Sequence, residues 1–149
     1  MKLIYTIIKS TALILFALLT SVNGIAQDSL PPELVGNWFI DTNATMAAIP
    51  PDNQEQLNSI PGLQQQIITS YTGRSLSLTA SGEFNQSLSS GTSISGTWHV
   101  SNALLILETD TGAKQEQEFS VLPDGRLLLF LPSQEHSQHI VPNQYYIKQ

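Results

Sequence analysis

Past Leu30-Pro31-Pro32 the chain breaks into short β-prone runs in which polar and apolar residues alternate. From Ser75 to Ala80, Leu76, Leu78 and Ala80 fall on one face and Ser75, Ser77 and Thr79 on the other, the period of a strand with one wet face. Ile94, Gly96, Trp98 and Val100 oppose Ser93, Ser95, Thr97 and His99 in the same way. Turn-forming residues recur at Gly82, Gly91, Asn102, Gly112 and Gly125, close to the spacing of all-β barrels and sandwiches. The runs are Val35 to Asp41, Ser75 to Ala80, Glu83 to Leu88, Ser93 to Val100, Ala103 to Thr109, Gln115 to Leu122, Arg126 to Leu131 and Gln138 to Lys148, which makes eight strands. Ala80-Ser81-Gly82, Ser101-Asn102 and Pro123-Asp124-Gly125 are hairpin-length links. Sequential strands therefore pair, and the expected fold is all-β: an eight-stranded antiparallel up-and-down barrel, closed so that no edge is exposed. Pro142 interrupts the last run and marks a bulge or edge position.

One link is out of scale. Thr42 to Gly73 separates the first strand from the second, and so long a loop in a small domain is structured or functional. Pro51 suits a first helical position ahead of Asp52 and Glu55, and Pro61 ends that segment. Leu63, Ile67 and Tyr71 then recur every four residues, an apolar stripe on a second short helix that Gly73 can cap. Helices this short are stable only when docked, so a helical lid over about 42–73 is expected across one end of the barrel.

The amino terminus carries a different pattern. Lys2 and Lys9 precede a nearly continuous apolar run from Thr11 to Leu19, and Gly24 and Ala26 are small residues at the spacing of a signal-peptidase site. Residues 1–26 are thus expected to be a signal peptide, cut before Gln27, with 27–149 as one barrel domain and no stable membrane span after cleavage. A retained anchor is the alternative, although Thr20, Ser21 and Asn23 interrupt its apolar run. The expected location is periplasmic or secreted. Without Lys2 and Lys9, four basic residues face twelve acidic ones, a formal charge of −8. A surface of that sign repels phosphate backbones and anionic lipid, so no nucleic-acid partner is expected. The chain has no cysteine, which excludes thiol catalysis, thiolate metal sites and attachment of lipid to an N-terminal cysteine.

Leu34-Val35-Gly36-Asn37-Trp38 resembles the Gly-x-Trp opening of lipocalin and calycin barrels, and Gly96-Thr97-Trp98 followed by Leu104 to Leu107 resembles small secreted bacterial lipocalin-like domains. Asp41, a helical insert, the Ser81-Gly82-Glu83-Phe84 turn and the Gly96-x-Trp98 strand follow in the order such domains use. The resemblance, over about Leu34 to Leu131, implies a lipocalin-like barrel entered at the end covered by its long first loop and able to hold a small apolar ligand. The chain departs from the pattern in two places. It has no Thr-Asp-Tyr segment between later strands, and no arginine after the seventh strand to pack on the first tryptophan.

The candidate ligand-binding residues are Trp38, Phe84 and Trp98 from the strands, Leu63, Ile67 and Tyr71 from the lid, and Gln86 and Gln117, which share faces with Phe84 and Phe119. The tryptophans have a second reading as a core plug packed with Leu76, Leu78, Leu105, Leu107, Leu127 and Leu129. Each glutamine is either a polar handle for a ligand or a group satisfied by backbone or water. Glu135, His136 and His139 lie close in sequence, but a solvated loop accounts for them and no metal is expected. His99 faces solvent without an evident partner. Gly91-Thr92-Ser93-Ile94-Ser95 lacks the closing glycine of a nucleophile elbow. Glu108, Asp110, Glu116 and Glu118 read as a wet strand face rather than a calcium loop. These residues lead to a non-catalytic protein without a cofactor that binds a small apolar ligand. The alternative is a structural or protein-interaction domain of the cell envelope with a filled barrel, whose protein partner the sequence leaves unknown.

Overall fold

The computed structural model describes residues 28–130 and 139–149. Eight antiparallel strands follow one another around a closed barrel: β1 Gly36–Ile40, β2 Ser75–Leu78, β3 Glu83–Ser87, β4 Ser93–Ser101, β5 Leu104–Thr109, β6 Lys114–Val121, β7 Leu127–Phe130 and β8 Asn143–Lys148. The ring closes where Trp38, Phe39 and Ile40 pair with Lys148, Ile147 and Tyr146. The expected barrel is therefore the observed one. The last strand is shorter than the run beginning at Gln138, because it starts directly after Pro142, which has no N–H to give a ladder. The signal-peptide expectation, Glu135 and His136 lie outside the described residues.

The links follow local chemistry. In four hairpins the glycine N–H returns to the carbonyl three residues back: Gly82 to Thr79, Gly91 to Leu88, Gly112 to Thr109 and Gly125 to Leu122, at 2.8–3.1 Å. This is a tight turn followed by a left-handed residue, a common way to join adjacent strands. The β4–β5 link is tighter, with Asn102 and Ala103 both at positive φ (52° and 63°). Alternation then sends one face of each strand inward. Trp38, Leu76, Leu78, Phe84, Trp98, Val100, Leu105, Leu107, Leu127, Leu129 and Tyr146 join Leu34 in one buried cluster. The indole N–H of Trp38 donates to the Leu34 carbonyl at 2.8 Å, and that of Trp98 to the Thr79 carbonyl at 2.9 Å. Both large rings are thereby satisfied as well as buried.

At the closing seam the Lys148 ammonium lies 5.0 Å from the centre of the Trp38 ring, within cation–π range. A lysine on the last strand thus occupies the position over the tryptophan for which the sequence offered no arginine. Its stem packs on Gly36 where a Cβ would stand, and Gly36 has φ +149°.

The long first link folds into three helices, α1 Thr42–Ala47, α2 Pro51–Ser59 and α3 Leu63–Tyr71. Only the second and third were anticipated. The first starts at Asp41, whose carboxylate accepts the Ala44 N–H at 2.9 Å, an N-cap. The helices enclose a small core of their own, with Ile49, Leu57 and Val141 buried and Met46, Leu63, Ile67, Tyr71 and Ile140 packed against them. They are pinned to the barrel by Tyr145, whose N–H donates to Thr45 Oγ1 at 3.0 Å and whose carbonyl accepts the Asp41 N–H at 2.7 Å. Asn53 Nδ2 donates to the carbonyls of His139 and Ile140 at 2.9 and 3.1 Å.

Candidate functional site: the helix-covered end of the barrel

In an up-and-down barrel all odd links lie at one end. The helices, the β3–β4 and β5–β6 turns and the link before β8 therefore share an end. The interior changes character toward it. Among inward-facing residues, Trp38, Leu76, Leu78, Trp98, Leu105 and Leu127 are 0–1 % exposed. Toward the helices Ile40, Gln86, Ile94 and Gln144 keep part of their surface, while Leu107, Gln117 and Leu129 are 2–4 % exposed. The apolar plug thus continues into a mixed lining, buried at Leu107, Gln117 and Leu129 and half buried at Ile40, Gln86, Ile94 and Gln144.

Three inward positions beside the apolar plug carry carboxamides. Gln86 on β3 pairs across to Leu76 and Ile94, Gln117 on β6 to Leu105, and Gln144 on β8 to Leu129. Gln117 is 4 % exposed. Among the described residues its carboxamide has no hydrogen-bond partner. Leaving such a group unmatched costs on the order of 1–3 kcal/mol, so water or a ligand atom is expected against it.

Tyr146, next inward on β8, is 1 % exposed and donates its hydroxyl to Gln144 Oε1 at 3.1 Å. Burial pushes this phenol up to about 12, while Arg74 draws it down and Tyr71 adds to the rise. Arg74 precedes Leu76 and Leu78 by even steps, so it lies on the inward side of β2 at the rim. Its Nε donates to the Ser70 carbonyl at 2.6 Å, and its guanidinium carbon lies 4.2 Å from the centre of the Tyr71 ring. Burial raises the Tyr71 pKa and Arg74 opposes that rise. Among the described residues no carboxylate is within ion-pair distance of Arg74.

The eight candidates from the sequence divide into three groups. Trp38, Phe84 and Trp98 belong to the plug. Leu63, Ile67 and Tyr71 pack in the core of the helical insert, and Tyr71 also reaches Arg74. Gln86 is half buried and Gln117 buried, on the inward faces of β3 and β6. Arg74, Gln144 and Tyr146 belong to the same region but were not singled out. The signal that finds them is parity: Arg74 is in phase with Leu76, and Gln144 is in phase with Tyr146.

Several polar residues elsewhere are engaged in local contacts. His99, read as partnerless, has its Nε2 3.7 Å from Asp28 Oδ2, because residues 28–30 fold back and Ser29 pairs with Val100. Glu108 meets Lys114 at 3.2 Å, and Asp110 accepts from Ser95 Oγ at 2.7 Å. Asp124 and Arg126 form an exposed pair at 2.7 Å that lowers the aspartate pKa and raises that of the arginine. Among the described residues no three histidine, aspartate or glutamate side chains converge as metal ligands, and no helix is long and apolar enough to cross a membrane. An open groove of about 630 Å³ runs outside the barrel between α3 and the β3–β4 turn, lined by residues such as Gln65, Gln66, Thr69 and Ser89. Comparison with models of known protein families, with curated proteins and with solved structures finds no match.

Proposed function

We propose that this chain is an exported, non-catalytic lipocalin-like domain that binds a small molecule through the helix-covered end of its barrel, in the periplasm or outside the cell. The observation that carries this reading is the buried Gln117 carboxamide on the inward face of β6, without a hydrogen-bond partner among the described residues, with Ile40, Gln86, Ile94 and Gln144 partly exposed toward the helices. The plug limits depth, so the ligand is small and sits high in the barrel. Native mass spectrometry of the full chain isolated from expressing cells tests the proposal. A one-to-one small-molecule adduct released by mild denaturation is the expected result. A bare protein mass, together with no saturable uptake of octyl compounds, contradicts it.

A second reading, a protein-interaction domain of the envelope, draws support from the outer face at the seam. Tyr145 and Ile147 point away from the core that holds Tyr146, and they pair with Leu128 and Phe39. Ile147 is 42 % exposed. Light scattering that gives a monomer, with no partner retained on isolation from the cell envelope, counts against this second reading.

A further inference from the structure

We propose that the open groove between α3 and the β3–β4 turn binds a short neutral oligosaccharide, held by the side chains of Gln65, Gln66 and Thr69. The groove lies outside the barrel and is independent of the ligand-binding end proposed above.

Two parts of the chain supply its walls. Gln65, Gln66 and Thr69 line it from α3, with Gly62 just before the helix, and Ser89 and Ser90 line it from the turn. Positions 62, 65, 66 and 69 recur at steps of three and four, so they share one helix face. That face is turned away from the stripe of Leu63, Ile67 and Tyr71, which packs in the core of the insert. Ser89 Oγ donates to the Ser70 carbonyl at 2.9 Å. The turn is thereby tied to the helix, and the walls hold their spacing without a ligand, which lowers the cost of binding one. The groove encloses about 630 Å³, within the range of about 300–1,000 Å³ typical of ligand sites.

The lining selects the chemistry. None of its residues carries a charge, in a chain with twelve acidic and six basic side chains. A charged ligand finds no counter-charge on these walls and gains no charge-assisted hydrogen bond from them. Gln65, Gln66 and Thr69 are exposed, and among the described residues their side chains make no hydrogen bond to one another or to the rest of the protein. Two carboxamides and a hydroxyl present donors and acceptors side by side. Neighbouring sugar hydroxyls, each able to donate and to accept, match that set. The groove is open to solvent, so its occupant keeps one side in water. A polyol suits that position, whereas an apolar molecule would leave much of its surface unburied and gain little. An extended peptide is the other neutral occupant, but such segments dock through their backbone on a sheet edge, and the closed barrel has none.

Two-dimensional amide NMR of the full chain, titrated at millimolar concentrations with cellotriose, maltotriose and trigalacturonate, tests the proposal. Saturable shifts of the Gln65 and Gln66 side-chain NH₂ signals are expected with at least one of the two neutral sugars, and none with the anion. Replacing both residues, Gln65→Ala with Gln66→Ala, keeps good helix formers at exposed positions and is expected to weaken that sugar about tenfold. The proposal is overturned if neither neutral trisaccharide moves these signals, if the anion moves them equally, or if the double variant binds as tightly as the parent. A groove that responds to a glycine–serine hexapeptide and to no sugar also overturns it, and makes the site one for a protein segment. The comparison of the three sugars uses the unaltered chain, so it decides the matter even where the variant folds poorly. Failure of all of them leaves the reading of the barrel end standing, since that is tested by octyl compounds at other residues.

Discussion

Tyr146 couples the fold to pH through one buried hydroxyl. Its folded pKa is raised to about 12 by burial, against about 10 in an unfolded chain. For an acid whose folded pKa is raised, the stabilising contribution is complete below the unfolded pKa and is lost as pH climbs toward the folded one. Wild-type stability should therefore fall by roughly 2 kcal/mol between about pH 10 and 12 from this group. Denaturant midpoints across that range should decline less steeply in Tyr146→Phe; parallel slopes in the two proteins would remove Tyr146 as the cause. Ala103 offers an opposite test. It holds φ 63° in the β4–β5 turn, a region that costs a side-chain-bearing residue about 1–2 kcal/mol. Ala103→Gly is expected to stabilise by about 1 kcal/mol after the added chain entropy of glycine, read as a raised urea midpoint with an unchanged slope. Residue-level chemistry was partly legible in the sequence. Gln117 stood out because it shares a face with Phe119, whereas the His99–Asp28 contact was hidden, since nothing local folds Asp28 back across β4.

Strands were more legible than helices, for a physical reason. A strand in this barrel has one face on a single core, so period-two alternation is written directly into Ser75–Leu78 and Ser93–Ser101. The helical insert packs partly on itself. Leu63, Ile67 and Tyr71 formed a readable stripe, but its destination was the cluster with Ile49, Leu57 and Val141 as well as the barrel end. Helix α1 has six residues and no apolar period long enough to register; its signal is the Asp41 cap and the tertiary bond from Tyr145 to the buried Thr45. Removing the cap with Asp41→Ala is expected to cost about 1 kcal/mol, measured by chemical denaturation. Asn53→Ala releases the tie between α2 and the carbonyls of His139 and Ile140. It should speed amide exchange in α2 while β2 to β6 keep their protection. If exchange in α2 is unchanged, the tie does not hold the insert.

At the scale of the molecule, closure and plug determine where a ligand can go. The seam between β1 and β8 depends on Gly36, because the Lys148 side chain occupies the space of a Cβ there on its way to the Trp38 ring. The overall barrel followed from alternation and link length, both local properties. How far the plug rises was not readable, because it depends on which tryptophan rotamers fill the axis. The inward carboxamides of Gln86, Gln117 and Gln144 lie on three strands far apart in sequence, and only the closed register gives them a common interior. The most direct test of this account is a two-dimensional amide NMR titration of the full chain with 1-octanol, following the side-chain NH₂ signals of these glutamines. The account predicts saturable shifts at Gln117 and Gln144, with the indole signal of Trp98 nearly still. Shifts confined to Gln65, Gln66 and Ser89 on the outer groove, with the interior amides unmoved, would contradict it.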